Sequence, residues 1–446
     1  MKKVYLETFG CQMNVSDSER ISTALVRDGF EMTPNDTDAD IVIINTCSVR
    51  EKAEHKLFSR VGRLRKKAKN KMPVVGVMGC VAQLDGESLF NRIEGVNFVL
   101  GTRAVGRVSA AIKETVRTGK NVLDVGERED NYDWTVADTH RHSPYVAFLP
   151  IIEGCNKFCT YCIVPFSRGR ERSFEASEIV RQVKELKQNG VKEVHLIGQN
   201  VNSYRPETDS GLEAFAGKSA FSKLLRAVAA TGMERIKFAT SFPRDFRSDI
   251  VDALEEHENL CNWVHLPVQS GSNRVLKLMK RGHTIEKYFE KIERLRSSHR
   301  DIALTTDIII GFPGETEEDF QDTVKMVEYC GFDMAYIFKY SPRPGTPAFE
   351  MVDDVSAGDK TLRFLELEKM QKRIQHKRLQ RYLNKVLKVL VEGRSSRTDR
   401  GLTGHSTCHK VVNFTGSREL LGKIVDVRIT EIKANSLFGE VQGIHG

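Results

Sequence analysis

The pattern of apolar and polar positions changes twice along the chain, and each change marks a different architecture. In the first 120 residues, short continuous apolar runs at 3–8, 40–45 and 74–78 each give way to a helix-compatible segment. Apolar runs of that length, flanked by helical period, predict strands buried on both faces of a parallel sheet. Asn14 and Ser16 offer caps for a helix running to about Asp28, and residues 48–69 are helical in period. From Tyr145 onward, strand and helix alternate six times, with strands expected at 145–152, 193–198, 235–239, 263–266, 303–310 and 334–340. Six βα units predict a partial relative of the eight-fold βα barrel. A charged helical pattern at 362–379 then leads into a period of two at 386–391, 410–414, 423–432 and 437–441. About five short strands between turn residues predict a small β-barrel, a shape often used on oligonucleotides.

The expected fold class is therefore a multidomain α/β chain. It has a parallel α/β sheet domain over 1–120, a polar linker over 121–143, a (βα)6 partial TIM barrel over 144–375 and a small β-barrel over 376–446. A chain of 446 residues is too long for one ordinary core, and 40% hydrophobic with 29% charged residues is the balance of a globular protein. No apolar run approaches the roughly 18 to 20 residues of a membrane helix. The expectation is a cytoplasmic protein with no membrane contact.

Charge adds a partner. Lys and Arg total 68 against 60 Asp and Glu, and from His376 onward there are 13 against 6, so that nearly all of the +8 excess lies at the end of the chain. A basic terminal module fits a polyanion, nucleic acid above all; a solvated lysine-rich surface gives the same count. Lys56, Arg60, Arg63 and Lys67 share one face of the second helix. They fit either a phosphate-facing stripe or a solvated face.

The sharpest chemical signal is the C-x-x-x-C-x-x-C run of Cys155, Cys159 and Cys162, just after Gly154. Three thiolates on one short loop can ligate three irons of a [4Fe–4S] cluster, whose full shell takes four. The fourth iron is then open to a small amino-carboxylate ligand. Structural zinc is the competing use, but it usually pairs two C-x-x-C knuckles, and no second knuckle follows here. Cys11, Cys47 and Cys80 each fall at the carboxyl end of an expected strand. In a parallel sheet that edge is where ligands bind, so a second three-thiolate site is expected. The other reading is that small thiols simply suit tight strand-to-helix turns. Cys261, Cys330 and Cys408 have no partner pattern.

Several motifs go further: Thr8-Phe9-Gly10-Cys11-Gln12-Met13-Asn14, Asn45-Thr46-Cys47-Ser48-Val49-Arg50-Glu51-Lys52-Ala53, Gly154-Cys155 to Cys162 with Ile163-Val164-Pro165, Gly198-Gln199-Asn200-Val201-Asn202, and His265-Leu266-Pro267-Val268-Gln269-Ser270-Gly271-Ser272. With the order of the parts, they resemble the methylthiotransferase family of radical S-adenosylmethionine enzymes over the whole chain, and within it the branch acting on isopentenylated adenosine in tRNA. The resemblance implies two [4Fe–4S] clusters: Cys155, Cys159 and Cys162 would bind the radical-generating one, Cys11, Cys47 and Cys80 an auxiliary one. It implies sulfur insertion at C2 of N6-isopentenyladenosine beside the anticodon, then methylation, with two molecules of S-adenosylmethionine consumed. An aromatic C2–H is neither acidic nor a leaving group, so the cofactors must carry the hard step. The implied partners are the tRNA anticodon stem-loop, an electron donor protein and a sulfur source. Gln269 and Asp307, polar and near barrel strand ends, are candidates for the S-adenosylmethionine pocket, with Ser241 a third. Sister branches act on threonylcarbamoyladenosine in tRNA or on an aspartate of a ribosomal protein. A tRNA-binding protein with purely structural or redox-sensing clusters is a reading of another class; three-cysteine ligation argues against it, because a structural cluster gains from a filled shell.

Overall fold

The computed structural model describes residues 2–48, 51–67, 72–126, 140–395 and 401–445. The chain forms two compact units, one of residues 1–142, 148–156 and 162–172, the other of residues 143–147, 157–161 and 173–446.

The first unit is built on a six-stranded parallel sheet in the order Glu31–Met32, Lys3–Thr8, Ile41–Thr46, Val74–Gly79, Val96–Leu100, Val122–Asp124. The continuous apolar runs are explained by burial on both faces. Val4, Ile41 and Ile43 pack with Ile21, Leu25 and Ile112 on one side, while Val42, Ile44, Val75 and Val77 pack with Leu57, Val61 and Leu64 on the other. Each such side chain contributes about 1.5–3 kcal/mol when fully buried. Three strands lie outside the expected runs. Val122–Asp124 falls where a linker is expected, paired to Phe98 through Leu100; residues 127–139 of that linker lie outside the described residues. The helix Gln12–Arg27 starts from Cys11 without a side-chain cap. Asn14 and Ser16 are buried inside it rather than capping it.

The sheet order turns back on itself between Lys3–Thr8 and Ile41–Thr46, and a ligand crevice forms at the carboxyl ends of strands at such a reversal. The basic stripe on Glu51–Lys67 is neither solvated nor phosphate-facing at its centre. The Arg60 side chain is 7% exposed and pairs with Glu7 and, at 2.8 Å, with Asp36; Lys67 Nζ lies 3.6 Å from the same Asp36.

The strands Arg235–Phe238, Glu193–Ile197 and Val146–Pro150 form one sheet in that order, and Trp263–His265, Ala303–Ile310 and Met334–Lys339 form another. A parallel bridge between Ile236 and Leu260 joins them. This is the expected six-stranded partial barrel, with helices such as Ala176–Gln188, Ser248–Glu256, Ile285–Arg296 and Glu317–Cys330 filling the crossovers. The helix Ala357–Leu379 then leads to a closed five-stranded barrel in the order Val386–Arg394, Gly401–Ser406, Val411–Thr415, Leu437–His445, Ile424–Ile432. Val389, Val391, Leu402, Val412, Phe414, Val425, Val427 and Ile429 fill it. The expected boundary at residue 376 falls inside the helix. Arg235 ties the two barrels together by donating from Nη1 and Nη2 to the carbonyls of His405 and Ser406 at 2.7 and 2.8 Å. Among the described residues, no helix is long and apolar enough to cross a membrane.

Candidate active site

Cys11, Cys47 and Cys80 follow three adjacent strands, Lys3–Thr8, Ile41–Thr46 and Val74–Gly79, at their carboxyl ends. Two glycines let the thiols converge. A Cβ on Gly10 would lie 2.5 Å from Cys47 Cβ, and one on Gly79 would lie 2.3 Å from Asn45 Oδ1 and 2.6 Å from the Thr46 carbonyl. Both glycines have φ in the left-handed half of the map, +140° and +90°, which glycine adopts without steric penalty. Asn14 and Asn45 lock the strand ends to the helix behind them. Asn45 Nδ2 donates to the Asn14 carbonyl and to Ser18 Oγ, both at 2.9 Å, and Cys11 Sγ donates to Asn14 Oδ1 at 3.3 Å.

Cys47 acts on each of the other two thiols. Hydrogen bonding from Cys47 pulls the Cys11 and Cys80 thiols down to about 6, and the nearby charge of Arg168 pulls the same way. The Cys47 thiol, whose single hydrogen the other two thiols compete for, is pushed up. Cys47 and Cys80 are buried and Cys11 is exposed. Among the described residues, no set of three His, Cys, Asp or Glu side chains is preformed as a metal shell. The donor set nevertheless fits an iron–sulfur cluster: three soft thiols, two of them readily ionised, at one sheet edge.

The C-x-x-x-C-x-x-C loop opens at Gly154, whose φ is +74°. The Cys155 N–H donates to the Gly169 carbonyl at 3.2 Å, and Asn156 Oδ1 accepts from the Glu171 N–H at 3.1 Å. Cys159 is buried, with Arg281 Nη1 3.5 Å from its sulfur. Thr160 next to it is held three times: its N–H and Oγ1 donate to the Met279 and Leu278 carbonyls at 3.1 and 2.9 Å, and its own carbonyl accepts from the Ala348 N–H at 2.8 Å. The Arg281 guanidinium lies 4.2 Å from the centre of the Phe242 ring. Beside it, burial pushes the His283 imidazole down to about 4, so His283 is neutral near pH 7.

Ser241 follows the strand Arg235–Phe238 and Gln269 follows Trp263–His265, whereas Asp307, expected near a strand end, lies inside the next strand, Ala303–Ile310. The Ser241 N–H reaches the His265 carbonyl at 3.4 Å. His265 Nε2 lies 3.4 Å from Asp307 Oδ2, and the Gln269 N–H donates to the Asp307 carbonyl at 2.9 Å. Gln269 has φ +78°, a conformation that costs a residue with a side chain about 1–2 kcal/mol. Asp307 is thus engaged by His265, a partner that sequence reasoning missed. Among the described residues, Ser241 Oγ, Gln199 Oε1, Asn200 Oδ1 and His283 Nε2 are buried without a hydrogen-bond partner. The loops carrying the first three are tied together, since the Asn202 amide exchanges hydrogen bonds with the Phe242 backbone at 2.8 and 2.9 Å. Unsatisfied buried polar atoms are costly. The first three lie just past the ends of Glu193–Ile197 and Arg235–Phe238, which fits a ligand rich in hydroxyl and amino groups, as S-adenosylmethionine is.

Three family models match the chain: the Radical SAM superfamily over residues 149–327, the Uncharacterized protein family UPF0004 over 3–101 and the TRAM domain over 380–442. The tRNA-2-methylthio-N(6)-dimethylallyladenosine synthase of Serratia proteamaculans (strain 568) is 42% identical over 446 residues, covering 99% of this chain and 92% of its own. The chain belongs to that synthase family. A second member, from Clostridium tetani (strain Massachusetts / E88), is 41% identical across 98% of this chain and 95% of its own. As a radical SAM enzyme of this family, the chain works with S-adenosylmethionine and [4Fe–4S] clusters. Among solved structures, the radical S-adenosylmethionine methyltransferase TsrM from Kitasatospora setae superposes with a TM-score of 0.57 at 15% identity, covering 78% of this chain and 75% of its own. At that identity the likeness shows the fold alone.

Proposed function

We propose that this enzyme inserts sulfur at C2 of N6-isopentenyladenosine beside the anticodon of tRNA and methylates it, in the cytoplasm. Cys155, Cys159 and Cys162 hold the radical-generating cluster, and Cys11, Cys47 and Cys80 hold an auxiliary one. The observation that carries this reading is the second set of thiols: three cysteines meeting at one sheet edge, in a chain that already has a complete three-thiolate motif 75 residues downstream of Cys80. Radical generation alone needs only one such set.

The radical cluster with S-adenosylmethionine supplies the electron and the hydrogen-abstracting radical that an unreactive aromatic C–H demands. The protein supplies placement. Thr160 and Arg281 fix Cys159; Ser241, Gln269 and Asp307, with Asn200, offer the polar rim that orients S-adenosylmethionine. The basic five-stranded barrel takes part of the tRNA backbone through phosphate contacts. An electron donor protein and a source of sulfur complete the reaction.

The test is mass spectrometry of nucleosides from isopentenylated tRNA after anaerobic incubation with S-adenosylmethionine and reductant. The expected product is isopentenyladenosine with a methylthio group in place of one hydrogen. Product only on threonylcarbamoyladenosine tRNA would move the enzyme to a sister branch. Replacing Cys155, Cys159 and Cys162 by Ala should leave about half the iron; loss of all iron would refute the two-site reading.

A further inference from the structure

Arg168 ends the short helix Val164–Arg168, six residues after the last cysteine of the radical loop. Its side chain is only 5% exposed, and its Nη2 donates to Asp17 Oδ2, 3% exposed, at 2.6 Å. Asp17 comes from Gln12–Arg27, the helix that starts at Cys11. The helix Val164–Arg168 also packs against Cys80–Asp85, the helix that opens on Cys80, and the guanidinium charge bears on the Cys80 and Cys11 thiols. Its backbone is pinned as well: Thr102 Oγ1 donates to the Ser167 carbonyl at 2.8 Å, and the space where Gly169 lacks a side chain is filled by the Arg103 guanidinium, 2.1 Å from where a Cβ would be.

A buried ion pair is a poor device for stability, because desolvation offsets most of the attraction and a packed apolar pair often does as well. This one has a second neighbour that an apolar pair could not serve, a group of three thiols. A guanidinium cannot give up its charge in a protein, so it is a permanent cation beside any cluster bound there. Reduction adds negative charge to a site that already has three thiolates. A fixed cation in a desolvated setting favours that reduced form.

We propose that Arg168, held in place by Asp17, is a positioning residue for the N-terminal cluster that raises its reduction potential. The proposal rests on the reading that Cys11, Cys47 and Cys80 hold a cluster, and its test separates the two.

The full-length chain carrying Cys155→Ala, Cys159→Ala and Cys162→Ala is reconstituted with iron and sulfide, so that one cluster remains. It is then titrated with dithionite and redox mediators while the reduced cluster is followed by electron paramagnetic resonance. Into it go the paired change Asp17→Asn with Arg168→Gln, which removes both charges and leaves a polar amide at each position, and, separately, Arg168→Lys. The paired variant should retain iron, with its midpoint shifted to more negative potential. Arg168→Lys, which keeps Asp17 paired but draws the charge back from the thiols, should shift less in the same direction. A midpoint equal to that of the parent in the paired variant would make Arg168 a structural strut and overturn the proposal. Should the paired variant lose its iron, Arg168→Lys decides by the same criterion. A parent that binds no iron refutes the cluster reading itself, a result that cannot be mistaken for a failure of Arg168.

Discussion

Gly154→Ala puts the backbone of the radical loop to the test. Gly154 has φ +74°, which costs a residue with a Cβ about 1–2 kcal/mol. The larger obstacle is steric. The added methyl would lie 2.1 Å from the Arg170 carbonyl oxygen and 2.6 Å from that of Gly169, where ordinary contact begins at 3.4 Å. Both obstacles are backbone, so the loop or the 169–170 segment must retreat by about 1 Å rather than swing a side chain aside. The Cys155 N–H donates to the same Gly169 carbonyl at 3.2 Å, so the retreat displaces the first cysteine of the motif. A site of this kind tolerates misplacement of about 0.5 Å, and an error of 1 Å can cost about 100-fold in rate. The variant should therefore keep roughly half its iron, in the N-terminal site. Its release of 5′-deoxyadenosine from S-adenosylmethionine without RNA should fall by about 100-fold or more. Gly190→Ala is the control, since Gly190 has φ +82° but nothing within 4 Å of its added Cβ, so it carries the backbone strain without the collision. Wild-type iron and wild-type deoxyadenosine release in Gly154→Ala would refute the reasoning.

Two further predictions concern other parts of the chain. Burial pushes the Glu19 carboxyl up to about 7, although the His142 N–H and the charge of Arg141 pull the other way. The folded state thus binds this proton more tightly than the unfolded state, and the associated stability is present below the ordinary carboxyl range and lost as pH rises through about 7. That stability is worth about 2 kcal/mol after allowance for partial exposure; Glu19→Gln should remove the dependence, giving a first thermal transition that no longer falls between roughly pH 5 and 8. In the terminal barrel, exposed Lys388 and Arg428 lie on paired strands. Changing both to Gln should weaken tRNA binding and flatten the logarithmic salt dependence by about two phosphate contacts, with deoxyadenosine release in the absence of RNA unchanged. An unaltered salt slope would remove this face from the interface.

The elements legible in the sequence are those whose pattern runs long enough to repeat. All six barrel strands were readable to within a few residues, because each apolar run is bounded by a polar or glycine-rich turn. Glu31–Met32 and Val122–Asp124 were not, since two or three residues carry no period. Gly401–Ser406, G-L-T-G-H-S, holds its place through ladder pairing on both sides rather than through its own side chains. Charge was the least legible quantity. Arg60 has the helical spacing of a surface stripe, yet its pairing with Glu7 and Asp36 crosses dozens of residues of sequence. Arg168 and Asp17 are 151 residues apart and share no motif.

The cysteines were legible because thiols at strand ends are a local signal, and the residue in front of each strengthens it. Cys11, Cys80 and Cys155 are each preceded by a glycine, and all three glycines have φ in the left-handed half of the map. A thiol that must leave a strand and face a ligand needs the chain to turn sharply just before it, which glycine permits without a steric penalty. Cys47 breaks the rule, with Thr46 before it. There the room is made by its neighbours, because the two places where a side chain would collide with the Thr46–Cys47 segment are Gly10, on one adjacent strand end, and Gly79, on the other. Gly10 and Gly79 thus serve two cysteines each. An alanine at either should disturb Cys47 as much as the thiol that follows it in sequence, so iron in the N-terminal site should be lost from Gly79→Ala even though Cys11, Cys47 and Cys80 are all still present. A full complement of iron in that variant would show that the close approach at Thr46 is not what holds the three thiols together.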